Sequence, residues 1–497
     1  MIFPAMSDLL TLSPVPEFLA RVRAELSADF DFTRTGAGGV RISRSPGRLD
    51  VMGGIADYTG SLVCEMPLDR AAAVALQERR GPGGEPDRTV QVFSFNLFDE
   101  HQPFTLRMPL DALVTQDTAA LRAEFSQPGR KFAAYIAGCL HLLHKRGYIN
   151  LASAEVSGVN IAVLSTVPLG GGVSSSAALE VATMLNLIDH FNIRHKLGPL
   201  ELAALCQEVE NTVAGAPCGI MDQVSSCSGK AGQLLLLKCQ PHELKGFTLL
   251  PPGTCVVGIN TNVKHSVGGG HYGQTRCAAF MGHAILLHIM RHMAKVSGHE
   301  LAGDPMRGYL ANLEADDYKT MFRPQMPEYI TGQAFLETYG QSIDKATTID
   351  PATNYHVRAA TDHHVLEAQR VQRFCKELEA AAQLPPGQFQ RKLHLDRAGH
   401  LMYASHKSYT DNALLGADEA DLLVDLVRQN EPAGLYGAKI TGGGSGGTVA
   451  VLMNDTAQAK AAIEQIMSAY QQRTGQEPEA LWGTSPGGWD MGTVVVK

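Results

Sequence analysis

Between Pro168 and Ala178 the chain reads PLGGGVSSSAA: Gly170, Gly171 and Gly172 in succession, then Val173, then Ser174, Ser175 and Ser176. Consecutive glycines let backbone approach a ligand closely, and serines at a helix start leave hydroxyls and free N–H groups pointing outward. A helix N-terminus carries about half a positive charge, so such a loop suits a di- or triphosphate. No Gly-Lys-Ser/Thr follows the glycines, which excludes a Walker A loop. Three glycines and three serines also exceed what a helix cap requires.

A second glycine run, GGGSGG over Gly442 to Gly447, fits the dinucleotide pattern G-x-G-x-x-G in letters only. A dinucleotide site needs a helix next, and TVAVLM reads as a strand. The run is therefore expected to be a hairpin loop packed against a ligand or another loop, with Gly443 and Gly444 as candidate ligand contacts. Two carboxylates lie twelve residues apart, Glu210 near the end of LAALCQEVEN and Asp222 in APCGIMDQ. Phosphoryl transfer needs a Mg²⁺ ligand and often a carboxylate near the accepting hydroxyl. The Cys- and Met-rich surroundings of Asp222 favour burial and a functional role. Arg48 and Asp57 flank turns in SPGRLDVMGGIADYTG, and residue types alone fit Arg48 either to an ion pair with Asp50 or to a site.

These residues belong to an ordinary globular composition. The chain has 497 residues, 44% hydrophobic and 19% charged, with 42 Lys+Arg against 50 Asp+Glu. A net charge of −8 gives no footprint for nucleic acid or anionic membrane. Nine cysteines without a CxxC pair point to reduced thiols and a cytoplasmic protein. The first twenty residues lack a basic region and carry Asp8 and Glu17, unlike a signal peptide, and no run is apolar enough to cross a membrane.

The elements that must position the site follow from pattern. An amphipathic helix is expected from Pro16 to Ala28, followed by a glycine turn, TGAGG. Buried strands are expected in VRISRSPGRLDVMGG and SLVCEMPLDRAAAVALQ, and an exposed loop at 81–87 precedes the strand TVQVFSF. Helical spacing marks 129–148, ALEVATMLNLIDHF, GPLELAALCQEVENTV and AAFMGHAILLHIMRHMAKV. GVNIAVLS and GTCVVGINTNV read as strands, LPPGQ at 384–388 as a loop between helices, and LYGAKITGGGSGGTVAVLM as strand, loop, strand.

Taken together, GRLDVMGGIADYTG, PLGGGVSSSAALEVA and KITGGGSGGTVAVL, with CGIMDQ and NTNVKHS between the last two, resemble the GHMP small-molecule kinases, and within them the galactokinases. The resemblance runs from about residue 41 to the C-terminus. It implies an α+β, two-domain GHMP kinase fold. A domain like the second domain of ribosomal protein S5 is expected over 1–240, and a ferredoxin-like domain over 241–497, with an insertion near 290–355. It also implies ATP and a small-molecule sugar as ligands, transfer of the γ-phosphoryl to a sugar hydroxyl, and Mg²⁺ held by Ser176 and Glu210. Gly170 to Ser175 match the phosphate loop, Asp222 the carboxylate facing the C1 hydroxyl, and Arg48 the guanidinium beside it. Asp57, Gly219 and Tyr272 match sugar-contacting positions.

One departure bears on the sugar. Galactokinases read G-E-H-x-D-Y where this chain has Gly53-Gly54-Ile55-Ala56-Asp57-Tyr58, and the missing Glu and His are associated with the C6 end of galactose. Gly54 and Ile55 are expected to leave an empty space and an apolar wall, which suits L-arabinose, a sugar with galacto ring hydroxyls and no C6. Several strings also resemble the kinase portion of plant L-arabinokinases. The alternatives are a galactokinase with a relaxed C6 pocket, a kinase of 6-deoxy sugars, and a sensor that binds ATP and sugar without catalysis. The intact SSSAA, Glu210, Asp222 and Arg48 favour an enzyme.

Overall fold

The computed structural model describes residues 6–26, 39–81, 83–263 and 270–496. The turn at 35–38 and the KHSVGG string at 264–269 lie outside the described residues. Strands β1 (Val40–Met52), β2 (Leu62–Glu78), β3 (Thr89–Ser94), β4 (Thr105–Pro109), β5 (Val159–Ser165), β6 (Gln233–Lys238) and β7 (Glu243–Leu249) build one sheet. A second is built from β8 (Thr254–Asn260), and a two-residue ladder joins β9 (Ile330–Thr331) to β10 (Asn354–Tyr355). The later strands are β11 (Leu435–Ile440), β12 (Thr448–Asn454), β13 (Glu479–Leu481) and β14 (Thr493–Val496). The large sheet runs β14-β1-β2-β5-β3-β4, with β6 and β7 joined through β2, and the smaller sheet runs β11-β12-β8-β13. All pairs are antiparallel except β3 with β5. The last strand thus returns to the first sheet.

β1 does not alternate polar and apolar, because nearly every residue in it is buried. Its polar side chains find partners instead, as a covered strand requires. Arg44, fully buried, donates to the Ser13 and Asp69 carbonyls and to the Ser485 hydroxyl. Pairing with β2 shifts register between Pro46 and Arg48 and again between Asp50 and Met52. Such bulges re-aim side chains next to sites, and here they bracket Arg48 and Asp50.

Helices Lys131–Lys145, Ser175–His190, Pro199–Glu208 and Met221–Ser228 cover one face of the large sheet, bringing residues such as Ile136, Val181 and Leu202 into one core with Val74 and Val92. The amphipathic helix near the start, Val15–Glu25, packs Phe18 and Val22 on the other face. Helices Asp418–Gln429 and Ala457–Thr474 cover the smaller sheet. The helix expected over 278–296 begins at Gly270, and 297–356 folds into short helices that bring Met306, Tyr318 and Phe335 into one core with Met281 and Ile285 of that helix. All nine cysteines are free thiols. Among the described residues no helix is long and apolar enough to cross a membrane.

A buried ion pair fastens the two sheets. Lys439 of β11 reaches Asp50 of β1 at 2.5 Å, and neither side chain is exposed. Asp50 also accepts from the N–H groups of Gly54 and Gly442, so one carboxylate pins two turns. Removing one partner of a buried pair strands the other charge. Lys439→Met should therefore cost about 3–5 kcal/mol in urea unfolding; a loss near zero would mean that Asp50 is satisfied without it.

Candidate active site

The chemistry-bearing motifs meet in one cavity of about 410 Å³ between the sheets. Arg48, Ile55, Asp57, Gly170, Gly172, Val173, Ser174, Ser175, Ser176, Glu210, Gly219, Asp222, Tyr272 and Gly443 all line it. They arrive on several elements. Arg48 comes from β1, and Ile55 and Asp57 from a 3₁₀ turn, Gly54–Thr59. Ser175 and Ser176 open the helix Ser175–His190, whose preceding residue Ser174 is held at φ 62°. Glu210 sits in a π-helical turn, Val209–Ala214, that ends the helix from Pro199. Wide turns of this kind recur at functional sites because they offset a side chain from the helical face. Asp222 lies in the first turn of helix Met221–Ser228.

Arg48 organises the centre. Its Nη2 and Nε donate to one Asp222 oxygen at 2.6 and 3.0 Å, its Nη1 donates to the Gly172 carbonyl at 2.8 Å, and its own N–H donates to Val173 O. Glu65, fully buried on β2, lies 3.3 Å from Nε. Burial alone would lower the Arg48 pKa, but the Asp222 and Glu65 charges more than offset it, so the guanidinium stays charged. The partner is Asp222, beside which the family resemblance set Arg48, and not Asp50, the alternative that residue types alone left open, which is engaged by Lys439.

The two glycine loops lie against each other. The Thr448 hydroxyl donates to Gly171 O at 2.7 Å, and Gly442 sits where a side chain would meet Gly172 O at 2.5 Å. Gly171 lines an adjoining cavity of about 340 Å³, with Asn96, Ser165 and Asn260, that meets the first at Gly170. Gly444 turns away, toward Leu415 and Tyr409, and does not line either cavity.

Gly54 also differs from expectation. It does not border the cavity, and its missing side chain leaves no empty space: a Cβ there would fall 1.6 Å from the Tyr409 hydroxyl. That hydroxyl accepts from Ile55 N at 3.1 Å and donates to Gly442 O at 2.8 Å. The apolar wall therefore rests on Ile55 alone, 1% exposed. Gly219 is required by its neighbour, since a Cβ would lie 1.7 Å from Asp57 Oδ2.

Lys131 and Tyr135 line the cavity too, and sequence reasoning missed them. Their i, i+4 spacing at the start of a helix was the available signal. Cys218 borders the cavity and is half-buried. The Gln223 amide, also missed, donates to both Glu210 and Glu180, at 2.7 and 3.2 Å.

Two features address the ligands. Ser174 Oγ is buried without a hydrogen-bond partner among the described residues, and it lies at the loop that opens the helix. Glu210 and Ser176 both line the cavity, and the Ser176 hydroxyl favours the ionised form of the Glu210 carboxyl. An all-oxygen carboxylate and hydroxyl pair fits Mg²⁺, which prefers hard oxygen donors and substrate phosphates.

Comparison with known proteins agrees with this architecture. Models of the N-terminal and C-terminal domains of GHMP kinases match residues 134–230 and 389–472. A galactokinase from Chloroflexus aggregans is 30% identical over 90% of this chain and 92% of its own length. The chain belongs to the GHMP kinase family. It is thus a phosphotransferase that shares its domains with ATP-using kinases. An L-arabinokinase from Arabidopsis thaliana is 34% identical over 92% of this chain, which spans about half (47%) of that relative's length. The crystal structure of Lactococcus lactis galactokinase complexed with galactose superposes with a TM-score of 0.70 over 96% of this chain and all of that one, at 20% identity. The GHMP kinase shares the two-domain α+β fold of that structure.

Burial, with the Asp222 charge adding to it, pushes the carboxyls of Asp57 and Glu210 up to about 7. For Asp57 the protonated form is the one folding favours, so its contribution to stability is present below 3.8 and lost as pH rises through about 7. Asp57→Asn should accordingly stabilise the apoprotein more at pH 8 than at pH 5, read as the shift in thermal midpoint. A shift equal at both values would contradict the burial of this carboxyl.

Proposed function

We propose that this GHMP kinase transfers the γ-phosphoryl of ATP to the anomeric hydroxyl of L-arabinose, giving β-L-arabinose 1-phosphate. The observation that carries the reading is the position of the Arg48–Asp222 pair. It is tied to the phosphate loop through the Gly172 carbonyl and lines the same cavity as Asp57 and Ile55. ATP phosphates would lie on the N–H groups and hydroxyls of Gly170 to Ser176, where Ser174 Oγ has a bond to give. The adjoining cavity at Asn96 and Ser165 has room for the nucleoside end. Ser176 and Glu210 would hold Mg²⁺, which supplies charge neutralisation of the phosphates when bound.

Asp222 is the group placed to receive the acceptor hydroxyl. Arg48 already donates two N–H bonds to one oxygen of this carboxylate, an arrangement that suits orienting the hydroxyl by a hydrogen bond rather than fully removing its proton. A loose phosphoryl-transfer transition state demands little base strength, so orientation suffices. Arg48 also faces the charge that develops as the phosphoryl moves. Asp57, capped by the N–H groups of Tyr58 and Met221, would accept ring hydroxyls.

Sugar choice then falls to Ile55. An apolar wall leaves a C6 hydroxyl without a partner, a cost of about 1–3 kcal/mol, or roughly ten- to a hundredfold. L-Arabinose has no such hydroxyl. The similarity to an L-arabinokinase supports this choice, and that to galactokinases makes D-galactose the competing substrate.

Two variants test the reading through ADP release. Asp222→Ala should lower kcat by about a hundredfold or more while leaving ATP affinity intact; unchanged turnover would remove Asp222 from the reaction. Ile55→His should raise kcat/KM for D-galactose relative to L-arabinose, and no relative gain would show that C6 is read elsewhere. A glutamate at 54 is a poor companion change, because Tyr409 occupies its path.

A further inference from the structure

Residues 297–356 share a small core with the helix Gly270–Val296, and they reach back to the cavity at two points. The first is Arg276, on the helix Gly270–Val296. Its Nε and Nη2 donate to the two oxygens of Asp344 at 3.0 and 2.9 Å, and its Nη1 donates to the carbonyls of Cys218 at 3.2 Å and Pro217 at 3.4 Å. The side chains of Arg276 and Asp344 are only 9% and 3% exposed. The guanidinium carbon also lies 4.9 Å from the ring centre of Tyr58, the neighbour of Asp57. Asp344 is itself fixed by the Thr347 hydroxyl and the Ala346 N–H.

The second point is the end of the 3₁₀ turn. The Gln240 amide donates both to Gly60 O at 2.8 Å and to Asn312 Oδ1 at 2.9 Å. A side chain on Gly60 would meet the Tyr309 ring at 2.5 Å, so that ring seals the turn. The segment therefore touches both walls of the cavity end that holds Asp57 and Gly219, and these contacts leave the phosphate loop untouched.

We infer that residues 297–356 are a buttress for the acceptor end of the active site, with Asp344 and Arg276 as positioning residues that set acceptor affinity without touching the acceptor. The inference rests on the reading of that end as the sugar site. A bidentate arginine–carboxylate pair fixes orientation as well as distance. Here it fixes the 217–218 backbone, on which Gly219 and, through it, the Asp57 carboxylate depend.

The test uses the full chain carrying Asp344→Asn, which keeps the side-chain shape and removes the charge. A misplaced positioning wall costs about ten- to a hundredfold, expected here as a rise in KM for the sugar with KM for ATP and kcat little changed. Backbone hydrogen exchange in the ligand-free protein should accelerate over 215–221 and stay unchanged over 170–176. Asn312→Ala, a milder change at the second point, should raise sugar KM by about two- to tenfold, the worth of a neutral hydrogen bond, and covers the case in which Asp344→Asn does not fold. Equal rises in both KM values, or unaltered sugar KM with unaltered exchange, would overturn the inference. If the unsubstituted chain turns over no sugar, the substrate reading fails, and the exchange pattern alone decides the buttress.

Discussion

A guanidinium almost without access to water holds this molecule's candidate active site together. Arg48 is 2% exposed, and every polar contact it makes joins a different part of the chain: Asp222 on a helix, Glu65 on β2, and the Gly172 carbonyl in the serine-rich loop. Burying such a charge is costly unless it is paired and hydrogen-bonded. The fold must therefore deliver all three partners at once, and in doing so it brings the helix N-terminus, the acidic residue and the strand bulge to one point. The buried Lys439–Asp50 pair repeats the device across the two sheets, and its carboxylate holds the turns on both sides.

Most of the cavity was legible in the sequence because its parts are local. PLGGGVSSSAA carries its own geometry, and KITGGGSGGTVAVL announces a strand, a loop and a strand that the structure reproduces as β11 and β12. The expectation that the second glycine loop packs on another loop holds through the Thr448 bond to Gly171. The strands around Arg48 and Ala73 were readable from their apolar density.

What stayed hidden depends on partners distant in the chain. Residue types alone offered Arg48 its sequence neighbour Asp50, and only the family resemblance set it beside Asp222, 174 residues away. Gly54 read as a gap because nothing near it in sequence fills it; Tyr409 does, from 354 residues beyond Ile55. Arg276 and Asp344 carried no motif, and only the folded chain shows that they share two hydrogen bonds and a backbone segment of the cavity. In the proposed function, specificity rests largely on these distant pairings, while the phosphate chemistry rests on short strings.

The central claim is that the Arg48–Asp222 pair directs phosphoryl transfer to the anomeric carbon's hydroxyl of a sugar that lacks the C6 hydroxymethyl. The most direct measurement is a competition. Equal amounts of L-arabinose and D-galactose, one labelled with ¹³C at C1, are incubated with the protein and Mg-ATP and followed by ¹³C and ³¹P NMR. The expected result is phosphorus coupling to C1 of L-arabinose, with galactose consumed only after arabinose is exhausted. Phosphorylation of galactose first, or at any carbon other than C1, would contradict it.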